Sequence, residues 1–186
     1  MLNTRLLPFA TAAVLPAILL GNTCGPTSSV DVTTVRFVVD ARGAGPQPLY
    51  LQVSPGDQPA WIHVSRNGQP VYLRPRCEIP DCSKPTVVCG AAIPIVRDAV
   101  KAGNVEFEWD GLESVVDPIA GCETQQATPP GNYVASFCYS RTAGMSGSDN
   151  TAVDKQGTVV NPVCKDVPFV LPLTTGAVTF QVPSGS

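Results

Sequence analysis

The stretch that decides the fold is Trp61-Ile62-His63-Val64-Ser65-Arg66-Asn67-Gly68-Gln69-Pro70-Val71-Tyr72-Leu73-Arg74. Asn-Gly between two alternating segments is the signature of a two-residue hairpin turn, because both central positions need positive φ. The turn fixes the register, so Arg66 faces Gln69, Val64 faces Val71, His63 faces Tyr72 and Ile62 faces Leu73. Ile62, Val64, Val71 and Leu73 then form one apolar face. Trp61, His63, Tyr72 and Arg74 share the other, an aromatic and cationic strip suited to sugar rings or a partner protein. Pro70 faces Ser65 with its missing donor turned away from that strand, which predicts a sheet edge there.

The same period of two recurs on both sides of the hairpin. Val35, Phe37 and Val39 alternate with Arg36 and Asp40, and Leu49, Leu51 and Val53 repeat the pattern. Val105, Phe107 and Trp109 alternate with Glu106 and Glu108. Pro129-Pro130-Gly131 opens a strand over 132–140. The segments 167–173 and 177–182 read as a closing hairpin, with Val178, Phe180 and Val182 inward. Helix is predicted only within 91–102, for a turn or two. The segment from Thr142 to Gln156 reads as a polar loop, and its Asp149, Asn150 and Asp154 do not follow the spacing of a calcium-binding EF-hand. With 19 prolines and 16 glycines spread through the chain, these elements predict an all-β protein. The predicted core is Phe37, Ile62, Val64, Leu73, Phe107, Trp109, Tyr133, Phe137 and Phe180.

The first residues differ in kind. Arg5 is followed by an apolar run from Leu6 to Gly21, broken by Pro8 and Pro16. A basic start, a short apolar core and small polar residues describe an export signal over 1–23. The run is too short for a comfortable membrane span. Cys24 follows directly, and Leu20-Gly21-Asn22-Thr23-Cys24 is similar to the lipidation box of bacterial lipoproteins, from which Asn22 and Thr23 depart. The resemblance implies a lipid-bearing Cys24. The small polar residues up to Val30 read as a tether over 24–30, and the remaining length suits a single domain over 31–186. Gly25 in place of aspartate implies the outer membrane; without lipid the protein would be secreted or periplasmic.

Cysteine arithmetic agrees. There are seven cysteines. With lipid on Cys24, six remain (Cys77, Cys82, Cys89, Cys122, Cys138 and Cys164), enough for three disulfides in an oxidising compartment. Six cysteines allow 15 pairings, and the sequence does not choose among them. Cys138 lies on the strand face of Val134 and Ser136, so its partner is expected in a segment lying over the sheet, such as the Cys122 loop or the Cys164 segment. No C-x-x-C pair favours zinc or thiol-redox chemistry.

Trp109-Asp110-Gly111, followed by Pro130-Gly131-Asn132-Tyr133, resembles the immunoglobulin-like module of the flagellar hook-capping family and related β-sandwiches. The likeness covers 105–140 and implies an immunoglobulin-like β-sandwich, of about seven to nine strands, with a structural or assembly role. Cys122 and Cys138 are departures from that pattern. The chain as a whole resembles cysteine-bearing bacterial envelope lipoproteins to which no activity is assigned.

Catalytic patterns are sparse. There is one histidine, His63, no G-x-S-x-G around any serine, no glycine-rich phosphate loop and no sign of a cofactor. The formal charge of −3, with no basic run, argues against nucleic acid as a partner. The sequence thus points to a non-enzymatic, lipid-anchored envelope protein that binds protein or polysaccharide. A secreted hydrolase or thiol-redox protein with an unfamiliar site is the alternative.

Overall fold

A computed structural model describes residues 34–53, 58–83, 93–146 and 151–183. The proposed signal, Cys24, the 24–30 tether, Cys89, Asp149 and Asn150 lie outside the described residues. Within them the chain is all-β. Thirteen strands are present: β1 (Val35–Asp40), β2 (Tyr50–Val53), β3 (Ile62–Arg66), β4 (Gln69–Val71), β5 (Ile95–Asp98), β6 (Asn104–Trp109), β7 (Leu112–Asp117), β8 (Cys122–Ala127), β9 (Gly131–Tyr139), β10 (Thr142–Met145), β11 (Asp154–Val160), β12 (Val163–Leu171) and β13 (Ala177–Gln181). One helical turn, α1 (Ala99–Ala102), follows β5, with the Asp98 carboxylate accepting the amides of Val100 and Lys101 as N-cap.

Two sheets face each other. The order β13-β1-β6 forms one, and β12-β9-β3-β4 the other. Rings join them across the interior. Phe37 of β1 lies 6.4 Å from Phe137 of β9 and 5.8 Å from Phe169 of β12. Phe180 of β13 stacks on Phe137 and Tyr139 at 5.7 and 5.6 Å. All nine predicted core residues are buried, as two facing sheets with alternating inward positions require. A further sheet, β10-β11-β5-β2, is tied to the end of β9 by a bridge between Tyr50 and Ser140, the residue after that strand.

The Asn-Gly hairpin is as predicted at its turn. Asn67 and Gly68 have φ of 53° and 75°, and Arg66–Gln69, Ser65–Pro70 and Val64–Val71 are in register. The ladder ends there. The Gln58 side chain enters between the strands, donating to the Ile62 carbonyl at 2.8 Å and accepting from the Leu73 amide at 3.1 Å. Tyr72 then bridges Ser114 of β7 instead of His63. Pro70 lies on the edge strand β4, as expected.

Three other expectations are corrected. Among the described residues the strands number thirteen, where about seven to nine were predicted: the two facing sheets hold seven, while β7, β8, β10 and the start of β11 occupy segments that read as loops. The segments 167–173 and 177–182 are not a hairpin: β12 pairs with β9, while β13 crosses to the other sheet and runs parallel to β1. Cys138 bonds Cys164, one of its two expected segments, but Cys164 stands directly opposite on the neighbouring strand of the same sheet and not above it.

Candidate functional site

The predicted strip does not survive as one surface. Trp61 is buried, with 1% exposure, and stacks on Phe137 at 6.1 Å. It belongs to the core and cannot meet a ligand. His63 is exposed on the outer face of β3, separated from Tyr72 because the ladder stops at Val71. Tyr72 and Arg74 stay together, in the segment leading from β4 toward Cys77.

That segment lines two adjoining clefts. One, of about 460 Å³, is lined by Leu73, Arg74, Pro75, Glu108, Trp109, Asp110 and Gln125. The other, of about 310 Å³, shares Arg74 and Pro75 and adds Tyr72, Arg76 and Glu78 among others. Arg74 places its guanidinium 5.1 Å from the centre of the Phe107 ring and makes no ion pair among the described residues. One face of its fork is fixed by the ring, while the N–H donors remain open to a ligand.

Arg76 is fixed differently. It lies 4.0 Å over the Tyr72 ring and donates from Nε to the Glu123 carboxylate at 2.9 Å. Glu123 is 2% exposed. It also accepts the Arg76 amide, at 3.2 Å to each oxygen, and the Ser114 hydroxyl. This carboxylate, fully partnered, holds the cleft wall to β8. A second network beside it joins Arg66 to Glu113 (3.3 Å) and to the Tyr133 hydroxyl (3.1 Å).

The cleft therefore offers donors on Arg74, acceptors on Glu108 and Asp110, and a Gln125 amide. Aromatic surface is limited: Arg76 covers one face of Tyr72, Arg74 lies over Phe107, and Trp109 is 1% exposed. The lining is suited to hydrogen bonding more than to ring stacking.

No protein-family model matches this chain, and neither a curated protein nor a solved structure is similar to it.

A grouping the sequence did not reveal lies on the outer face of β3, β9 and β12. His63 pairs with Ser136, and Ser136 pairs with Asp166, so the three stand in one row. Ser136 donates its hydroxyl to Asp166 at 2.5 Å. Serine hydrolysis needs the imidazole between carboxylate and serine, taking the serine proton while the carboxylate orients it. Here the serine is in the middle and its proton is committed to the carboxylate. The row sits on an open sheet face and has the wrong order for acyl transfer.

Cys82 bonds Cys122, and Cys138 bonds Cys164. Cys77 is disulfide-bonded as well. Among the described residues, no three His, Cys, Asp or Glu side chains are grouped to hold a metal, and no helix is long and apolar enough to cross a membrane.

Proposed function

We propose that this chain is a non-enzymatic cell-envelope module, exported by residues 1–23, lipid-anchored at Cys24 and presenting residues 31–186 as an immunoglobulin-like β-sandwich. The observation that carries the reading is the state of its cysteines. Cys77, Cys82, Cys122, Cys138 and Cys164 are all bonded, which suits a protein folding in an oxidising compartment. The sulfurs then act as crosslinks, and Cys24, next to an apolar leader, is the one suited to lipid. Lipoproteins carry several acyl chains, which anchor more firmly than one.

The immunoglobulin-like reading is supported by Tyr133, whose hydroxyl donates to the Pro129 carbonyl at 2.6 Å where the chain enters β9. A tyrosine closing a corner onto backbone a few residues upstream is characteristic of such sandwiches. The two-layer core supports it too.

For the partner, the Arg74 cleft favours protein over polysaccharide, because Arg74 and Arg76 already occupy ring faces there and leave mainly hydrogen-bonding groups. An outer-membrane location follows from the lipoprotein reading and Gly25.

Metabolic labelling with radioactive palmitate tests the anchor. The wild-type chain should take up label and sediment with membranes. Cys24→Ser should do neither. Equal labelling of both, or of neither, would refute the anchor.

A further inference from the structure

The outer face of the β12-β9-β3 sheet is laid out in rows that the strand register fixes. His63, Ser136 and Asp166 form one row across the three strands, and Ser65, Val134 and Pro168 the next. Asn132 pairs with Val170 beyond them. The inward positions, Val64, Ala135, Phe137, Phe169 and Leu171, are buried in the core, so these rows face away from the other sheet. Val170 is 55% exposed. A shallow trough of about 420 Å³ runs over Val134, Pro168 and Val170, and no charged residue lines it. An apolar centre with a polar rim is the anatomy of a protein interface.

The polar groups at the rim, an imidazole at one end and a carboxylate at the other, are arranged to match themselves. His63 stands on β3 at one end of its row, Asp166 on β12 at the other, and Ser136 on β9 between them. A twofold axis laid along β9, in the plane between two facing copies, exchanges β3 with β12 and leaves β9 over itself. It sets the Asp166 of one copy above the His63 of the other, twice. It stacks Val134 on Val134 at the centre and Pro168 on Ser65. Twofold interfaces require this self-complementarity. A face with a carboxylate at both ends would not possess it.

We propose that this face binds a second copy of the chain, sheet against sheet, about a twofold axis along β9. The inference extends the interaction-module reading and does not depend on the lipid anchor. Edge-to-edge growth at β12 is disfavoured beside it. Cys138 turns its amide toward the Trp61 carbonyl of the β3 side, so its pair with Cys164 is a non-hydrogen-bonded one. Pro168 shares that parity, and the donor it lacks would have faced the open edge.

Four outward residues on β9, four on β12 and two on β3, on strands about 4.8 Å apart, give a contact of roughly 300 Å² per copy. Stable dimers bury about 800 Å² per partner, so this dimer is weak and concentration-dependent. Crowding of anchored copies on a membrane would favour it.

Sedimentation equilibrium of the full chain with its disulfides intact, up to about 1 mM, tests the proposal. The wild type should show a monomer–dimer equilibrium. Val134→Glu, which sets two carboxylates against each other at the axis, and His63→Asp, which sets two Asp pairs face to face, should each weaken it at least tenfold. The double swap His63→Asp with Asp166→His should restore it. Near-UV circular dichroism checks that each variant is folded. A wild type that is monomeric at every concentration, or a dimer that tolerates Val134→Glu, or failure of the double swap to restore association, would overturn the proposal. Any of these results would leave the palmitate test of the anchor untouched.

Discussion

The Arg76 guanidinium meets the buried Glu123 carboxylate at 2.9 Å while lying 4.0 Å over the Tyr72 ring. One side chain thus ties the cysteine-bearing segment 76–83 to β8 and shapes the wall of the Arg74 cleft. Beside it, the Cys82 amide donates to the Glu123 carbonyl and the Glu123 amide to the Pro80 carbonyl. Removing the carboxylate leaves Arg76 and Ser114 without their acceptor. Glu123→Ala should destabilise the protein by about 3 kcal/mol, as loss of one partner of a buried pair does. Glu123→Gln keeps the shape and part of the hydrogen bonding and should cost less. Urea unfolding of both variants checks the order.

Tyr133 joins three elements through one hydroxyl, donating to Pro129 and accepting from Arg66. Its ring stacks on Phe169 at 5.4 Å, and that packing is independent of the hydroxyl. Tyr133→Phe should therefore keep the fold and lose about 1–2 kcal/mol, the cost of leaving a partly buried acceptor and donor unpaired. Thermal unfolding measures the loss; a neutral result would remove the corner from the list of features holding β9.

What the sequence made legible were elements that bury an apolar face. The alternation in Val105-Glu106-Phe107-Glu108-Trp109 appears directly as a buried–exposed strand. The Asn67-Gly68 turn set the first three pairs of its ladder. What it concealed were strands whose partners are polar. β7 and β8 carry Glu113, Ser114 and Glu123 into buried positions, where ion pairs and hydrogen bonds replace the apolar signal. β11 alternates between half-buried and exposed without a single buried residue, so its first three residues read as loop and the rest gave no strand signal. The Trp61 error has the same root. Parity placed it opposite the core face, but it precedes β3, where the strand rule no longer governs its direction. The row of His63, Ser136 and Asp166 depends on the register of β9 with both neighbours, which no local turn encodes.

Asp154 and Arg97 face each other in register between β11 and β5 and form a two-point ion pair at 2.6 Å on each arm. The guanidinium holds the Asp154 carboxyl below its ordinary value. A carboxyl depressed in the folded state stabilises fully above its unfolded value, near 3.9, and loses that contribution as pH falls through the folded value. Asp154→Asn should lower stability at pH 7 by less than about 1 kcal/mol, since both groups are substantially exposed. The difference from wild type should shrink as pH falls below the unfolded value and vanish once the folded-state carboxyl is protonated. Melting curves at pH 7 and through the acid range check the sign.

The two described disulfides close segments separated by 40 and 26 residues. Loop-closure entropy gives at most about 4 and 3.5 kcal/mol for them. The Cys138→Ala/Cys164→Ala variant should lose stability yet keep the nine-residue register of β9 with β12. The Cys82→Ala/Cys122→Ala variant should instead release segment 76–83 locally. Hydrogen exchange at the Cys82 position and at Glu123 should then accelerate before that of β9.

Intact mass of the chain extracted from membranes tests the central claim most directly. The account predicts a polypeptide without residues 1–23, heavier by the acyl groups on Cys24, whose six other cysteines resist alkylation until reduced. A full-length, unacylated chain recovered from the cytosol with seven alkylatable thiols would contradict it.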